Sequence, residues 1–323
     1  MIPLLFSLLM SPAQAMDVVC TLPWLGDIAH RMAPDAEITV LVRATEDPHF
    51  LSPTPALMAK VGAADLFVEN GMGLELWSER LLDGAGNPSI RRGQPGHVLA
   101  SQGVHALAVP GEVSRAQGDL HAQGNPHIGT DPLNAPIVAD NIAAGLARID
   151  PAHAAEYQAR AKAFHEEIDR RAFGEDLVGF MGGDLLERLA RGGKLHSFLE
   201  SKGLSSRLGG WLGAAAPLNG QGVVFYHQSW IYLIDRFGMV ETGYIEDRPG
   251  VAPSASHRDA LKQVMQRDGV KRVAVGTLYD DRLAKVLADE VGARVIILPS
   301  DVGATDDAGD YFAFIDALVN RLK

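Results

Sequence analysis

His49, His127, His227 and Asp301 are the residues of this chain whose types could do chemistry together. Each sits where a strand-like or apolar run gives way to a loop. Three carry a comparable local signature: Asp47-Pro48-His49, Asn125-Pro126-His127 and Phe225-Tyr226-His227. Three imidazoles and one carboxylate complete the coordination sphere of a borderline-soft divalent cation such as zinc. Their spacing is far wider than that of a zinc finger, so the fold must gather them. Taken singly, each has a plainer reading. A His after Pro is ordinarily a surface loop residue, and Asp301 suits a turn cap before Gly303, as Asp131 suits a helix N-cap. Their joint placement is the signal.

The remaining histidines carry less. His30, His153, His165 and His257 fall on expected helix faces and read as solvated, while His97 and His105 flank a loop and strand without a partner pattern. His196 has no assigned role. His121 lies in the polar 110–126 loop beside His127 and reads first as a plain loop residue, with accessory metal capture as the second reading. No G-x-S-x-G elbow, H-E-x-x-H motif or P-loop is present, and Gly71-Met72-Gly73 lacks the third glycine of a dinucleotide site.

The elements that must position the four residues follow an α/β rhythm. Strands are expected at Asp17–Thr21, Glu37–Val42, Leu66–Glu69 and Val104–Val109, alternating with helices over Leu25–Met32, Pro55–Gly62 and Glu75–Leu82. Ala135–Ile149 and Pro151–Phe173 read as helices, the second long enough to join two lobes, with Asp150 as N-cap and Pro151 at its first position. Gly174–Gly222 is a Gly-rich segment of short amphipathic pieces. The rhythm then returns, with strands at Val223–Tyr226, Val240–Tyr244, Arg272–Val275 and Val295–Leu298. The helices between and after them are Ser229–Phe237, Ser256–Asp268, Asp280–Val291 and Asp310–Leu322. The expected architecture is α/β, with two lobes, each a mainly parallel sheet flanked by helices, joined by a long helix. Residues 16–149 form one lobe, 150–173 the link and 174–323 the other. Ligands at the carboxyl ends of parallel strands in both lobes would meet in the cleft between them.

Length and composition agree with this division. The chain has 323 residues, 47% of them apolar, enough for two cores. A formal charge of −11 argues against nucleic acid or an anionic membrane surface as partner. Ile2 to Met10 is a short apolar run, followed by Ala13-Gln14-Ala15, although no basic residue precedes it. It reads as an export signal cleaved after Ala15, too short to anchor the chain in a bilayer. Cys20 is the single cysteine, so no intramolecular disulfide can form, and its context Asp17-Val18-Val19 is unlike that of a lipidated cysteine.

At Asp47-Pro48-His49, Phe67-Val68-Glu69-Asn70-Gly71 with Leu76-Trp77, Asn125-Pro126-His127 leading to Asp131-Pro132, Tyr226-His227, Pro249–Ser254 and Asp301, the chain resembles the metal-ion substrate-binding proteins of bacterial ABC importers. These form the zinc/manganese group with the TroA-like fold. The resemblance covers most of the mature chain. It implies a periplasmic, monomeric protein without a lipid anchor that holds an ion between its lobes and hands it to a membrane permease. It also implies His49, His127, His227 and Asp301 as the metal ligands, with no catalytic residues. Zinc is the expected ion and manganese the second, because manganese sites of the family carry a further carboxylate. There are departures. Ile128-Gly129-Thr130 stands where the family has a tryptophan-containing run, the His-rich loop is reduced to one histidine, and Gly174–Gly222 is longer than the usual connection. Two readings from other classes remain open at this stage. One is an exported zinc hydrolase using the same ligands, and the other a binding protein for an organic or chelated ligand.

Overall fold

The computed structural model describes residues 15–111, 121–246 and 251–323. The signal-like run and the Pro249-Gly250 pair therefore lie outside the described residues. Two separate four-stranded parallel sheets organise the described residues. The first contains β1 (Asp17–Cys20), β2 (Glu37–Val40), β3 (Leu66–Glu69) and β4 (His97–Leu99), in the order β2-β1-β3-β4. Leu66-Phe67-Val68-Glu69 has no polar alternation, and all four residues of β3 are buried, as expected of a central parallel strand covered on both faces. Helices α1 (Pro23–Met32), α2 (Pro55–Ala63), α3 (Ser78–Ala85) and α4 (Asn134–Ile149) accompany this sheet. Local chemistry starts α2 where the sequence places it: Pro55 opens the helix, and the Thr54 hydroxyl accepts the Leu57 amide at 3.3 Å.

After a turn at Pro151–His153, α5 (Ala154–Phe173) runs for 20 residues, about 30 Å. Asp150 stands at the N-cap position of the turn, where its carbonyl accepts the His153 amide at 3.3 Å, and His153 takes that position for α5. The Asp150 carboxylate takes the Tyr157 hydroxyl and His153 Nδ1, each at 2.7 Å. The Gly-rich segment folds as a run of short helices: α6 (Glu175–Met181), α7 (Gly183–Arg191), α8 (Leu195–Ser201) and α9 (Gly210–Ala214). Gly182 (φ 80°) breaks the chain between α6 and α7 in a conformation that L side chains avoid. A Cβ on Gly183 would stand 1.6 Å from Asp169 Oδ2, so glycine is what lets α7 close on α5.

The second sheet contains β5 (Gly222–Phe225), β6 (Val240–Tyr244), β7 (Arg272–Gly276) and β8 (Arg294–Leu298), ordered β6-β5-β7-β8. Its helices are α10 (Ile231–Phe237), α11 (Ala255–Arg267), α12 (Arg282–Val291) and α13 (Tyr311–Leu322). Both sheets therefore have the same strand order, reversing direction beside their first strand. Open parallel sheets bind ligands outside their carboxyl ends at such switch points.

One expected strand is overturned. Residues 104–109 form no strand, and the fourth place in the first sheet belongs to His97–Leu99, which pairs with Phe67–Glu69. Ala108 adopts φ 50°, incompatible with a strand, and the polar groups of the segment are used elsewhere. Leu107 donates its amide to the Tyr232 hydroxyl and accepts the Asn125 amide. His97 is also not a loop residue: it is buried in β4, 3.5 Å from the buried carboxylate of Glu69.

Candidate metal centre

Each of the three expected histidines has one ring nitrogen held in place. Asp47 Oδ1 faces His49 Nδ1 at 2.7 Å and accepts the His49 amide at 3.0 Å. Asn125 Oδ1 faces His127 Nδ1 at 2.9 Å and accepts the His127 amide at 3.0 Å. The two Asx-Pro-His turns are thus built alike: the first side chain folds back on the third residue, and proline restricts the backbone between them. Each proline carbonyl is clamped in turn. The Trp77 indole donates to Pro48 O at 2.8 Å, and the Asn70 amide donates to Pro126 O at 3.0 Å. His227, two residues past β5, has its Nδ1 2.6 Å from Oε2 of Glu246, two residues past β6. An acceptor on Nδ1 selects the tautomer with a bare Nε2, the form in which imidazole binds a metal. Burial pushes the Asp47 carboxyl upward, but its hydrogen bonds from His49 outweigh this and hold it below its ordinary range.

The rings converge from both lobes. Ring centroids lie 5.6 Å apart for His49 and His127, 6.0 Å for His127 and His227, and 6.5 Å for His49 and His227. Two imidazoles on one tetrahedral zinc would sit roughly 5 Å apart by the same measure, given Zn–N bonds of about 2 Å. Among the described residues no group of three His, Cys, Asp or Glu side chains is contracted enough to hold an ion as it stands. The set is about 1 Å too wide by this comparison.

His121 enters more closely than the sequence indicates. Its Nε2 lies 3.2 Å from His49 Nε2, the rings stack at 5.3 Å, and its Nδ1 is 3.1 Å from Gly73 O. Neighbouring tetrahedral ligand nitrogens on zinc are also roughly 3.3 Å apart, so His121 is placed at ligand-like distance. Burial, followed by the nearby His49, His227 and His121, lowers the pKa of His127 well below its ordinary value. It stays neutral and ready to coordinate.

Asp301 follows β8 and lines the same cavity as His49 and His127, a space of about 70 Å³. Its Oδ1 accepts two backbone amides, from Trp24 at 2.9 Å and Val302 at 2.6 Å. Burial raises its pKa to about 7 against the pull of those two hydrogen bonds. The cavity has room for a few waters or a partly hydrated ion. Its other carboxylates are engaged: Glu46 pairs with Arg43, and Asp47 with His49. Tyr279 stacks on His227 with centroids 5.5 Å apart.

Trp24 also answers the departure at Ile128-Gly129-Thr130. A Cβ on Gly129 would stand 2.8 Å from the Trp24 ring, so the indole of α1 fills the space beside this turn. The Asx turns were legible in the Asp-Pro-His and Asn-Pro-His spacing. Glu246 and the Trp24 amide carried no sequence signal, because they meet their partners only across the fold.

Comparison with known proteins bears on family and fold. A family model described as "Zinc-uptake complex component A periplasmic" matches residues 18–172 and 212–323, leaving out 173–211, most of the run of short helices. The chain is 32% identical over 318 residues to "Iron-binding protein YfeA" of Yersinia pestis, covering 96% of this chain and 86% of that protein. It is 22% identical over 319 residues to "High-affinity zinc uptake system protein ZnuA" of Bacillus subtilis, covering 97% and 87%. A crystal structure of ZnuA superposes with a TM-score of 0.70 at 22% identity, covering 96% of this chain and 98% of that one. A manganese-bound periplasmic metal-binding protein from Candidatus Liberibacter asiaticus gives 0.67 at 20% identity, covering 95% and 98%. These two likenesses concern the fold. The family match and the full-length relative at 32% identity place this chain in the family of metal substrate-binding proteins of ABC transporters.

Proposed function

We propose that this protein captures one divalent transition-metal ion, zinc before manganese, on His49, His127, His227 and Asp301, and delivers it to the membrane permease of an ABC importer. The observation that carries the reading is the common state of the three histidines. Each Nδ1 is held by a neighbouring oxygen, so that each bare Nε2 serves the same cleft. Three nitrogen donors and one oxygen donor suit a borderline-soft ion better than calcium or magnesium, which take oxygen ligands. Bringing the rings inward by about 1 Å would make a tetrahedral site, and ion binding would supply the free energy for that contraction.

The relatives' names divide among ions: iron for YfeA, zinc for ZnuA and manganese for the Streptococcus gordonii lipoprotein scaA, to which half of this chain is 29% identical. Zinc is preferred here on donor chemistry. Transport without catalysis is favoured over hydrolysis, since Asp301 supplies a fourth protein ligand and Glu46 and Asp47 are already paired. The small cavity disfavours an organic ligand. Export to the periplasm as a free monomer completes the proposal.

The test is metal analysis of untagged protein, followed by competitive titration with zinc, manganese and ferrous ions under anaerobic conditions. Zinc should bind most tightly, and His49→Ala and His227→Ala should each abolish tight binding. Unchanged zinc affinity in both variants would sink the assignment.

A further inference from the structure

Asn125 does more for His127 than Asp47 does for His49. Both side chains accept the backbone amide and face the Nδ1 of the histidine two residues on. Asn125 also reaches into the other lobe. Its Nδ2 donates to Gln228 O at 2.8 Å, and Gln228 is the residue after His227. Its carbonyl accepts the Tyr232 hydroxyl at 2.9 Å, which accepts the Leu107 amide at 3.2 Å. One planar amide therefore connects the ring of His127 to the backbone that carries His227, across 103 positions of sequence.

This explains a difference between two otherwise equivalent turns. The first needs only an acceptor, and aspartate serves. The second needs an acceptor and a donor on one group, and among side chains of this length only asparagine has both. An aspartate at 125 would set a carboxylate oxygen against the carbonyl of Gln228, two acceptors with no proton between them.

The neighbouring contacts keep the same register. Gln228, Tyr232 and Arg236 follow one another at four-residue intervals, so they share a face of this helical stretch. Arg236 ends the series in a buried bidentate pair with Asp131, at 2.9 and 2.8 Å. That face lies along residues 125–131 of the first lobe. Asn125 is the residue that links this face to a histidine of the cleft.

We infer that Asn125 is a positioning residue for metal selection: its amide sets the separation of His127 and His227, and so the geometry offered to the ion. This rests on the metal-binding reading above. Ions differ in bond length and preferred geometry, so a site that fixes two donors from opposite lobes discriminates by geometry as well as by donor type. Loss of a residue that orients a ligand typically costs about 10- to 100-fold in metal affinity.

The experiment titrates cobalt(II) and zinc into wild-type protein, Asn125→Asp and Tyr232→Phe, recording the visible absorption of the cobalt complex. Wild type should show the intense bands of tetrahedral cobalt. Asn125→Asp should bind zinc about 10- to 100-fold more weakly and show weaker, shifted cobalt bands. Tyr232→Phe should move both readouts the same way by less. A merely structural role would lower the melting temperature and leave the cobalt spectrum of the folded fraction unchanged. Wild-type affinity and spectrum in Asn125→Asp would overturn the inference alone. If that variant does not fold, an unchanged Tyr232→Phe overturns it instead. If wild-type protein binds neither ion, the metal-binding reading falls and the inference with it.

Discussion

Asp301 Oδ1 accepts the backbone amide of Trp24 at 2.9 Å, joining residues 277 positions apart and in different lobes. Trp24 lies in the first turn of α1, so the carboxylate rests against the positive end of that helix. The same oxygen also takes the Val302 amide, which leaves Oδ2 for a ligand. Asp301 is thereby held as each histidine is, with one atom engaged and one available.

Asp301→Asn should separate binding from stability. The amide oxygen keeps both backbone hydrogen bonds while the charge disappears. Burial raises the folded pKa of Asp301 to about 7, above the ordinary carboxylate value. In the ion-free protein the folded state retains a proton that the unfolded chain releases between roughly pH 4 and 7, so this group's contribution to stability falls as pH rises through that window. The variant should therefore be more stable than ion-free wild type at pH 8, by no more than about 4 kcal/mol, and little different near pH 4.5. It should bind zinc at least about 100-fold more weakly. Thermal melts at the two pH values, with and without zinc, check both statements.

Metal affinity should fall with pH through the same group. Below about pH 7 an ion must displace the proton on Asp301, which costs about tenfold in affinity per pH unit. His127, with its pKa lowered well below the ordinary value, adds no competition until more acidic pH. Calorimetry in buffers of different ionisation enthalpy should show more proton release at pH 6 than at pH 8. Asp301→Asn should lose the part due to this carboxylate, and identical release in that variant would remove Asp301 from the ligand set.

The histidines should rank by role. His49→Ala and His227→Ala each remove a proposed ligand and should lower zinc affinity by more than about 100-fold. His121 Nε2 stands 3.2 Å from His49 Nε2, beside the proposed ligand set. His121→Ala should change affinity by about tenfold or less. A loss as large as that of His49→Ala would place His121 among the ligands.

The buried pair of Arg236 and Asp131 should hold the lobes in register. Both side chains are over nine-tenths buried, and Asp131 also accepts the Leu133 amide at 2.9 Å. Arg236→Met leaves the carboxylate without its partner and should cost about 3–5 kcal/mol in chemical denaturation. Asp131→Asn combined with Arg236→Met should recover part of that loss, because no buried charge then remains.

Much of the fold was legible along the chain. Strands such as Leu66–Glu69 and Arg272–Gly276 are short apolar runs, and three helices, α2, α11 and α13, have capping residues in place at Thr54, Ser254 and Asp310. The fourth strand was missed because Val104–Val109 is the more apolar run, while His97–Leu99 is held by contacts distant in sequence. Arg148 donates to Pro95 O and His97 O, and Asn141 to Ala100 O and Gln102 O. Periodicity reports local preference and does not register such partners.

The donor types, their positions at strand ends and the two Asx-Pro-His turns are readable from the chain alone, because each depends on residues within a few positions of one another. That Glu246 orients His227, that His121 meets His49 and that the Trp24 amide engages Asp301 were decided by packing alone. Those are contacts of a few ångströms between segments tens to hundreds of residues apart. They are set by how two sheets and their helices pack, which no local pattern encodes.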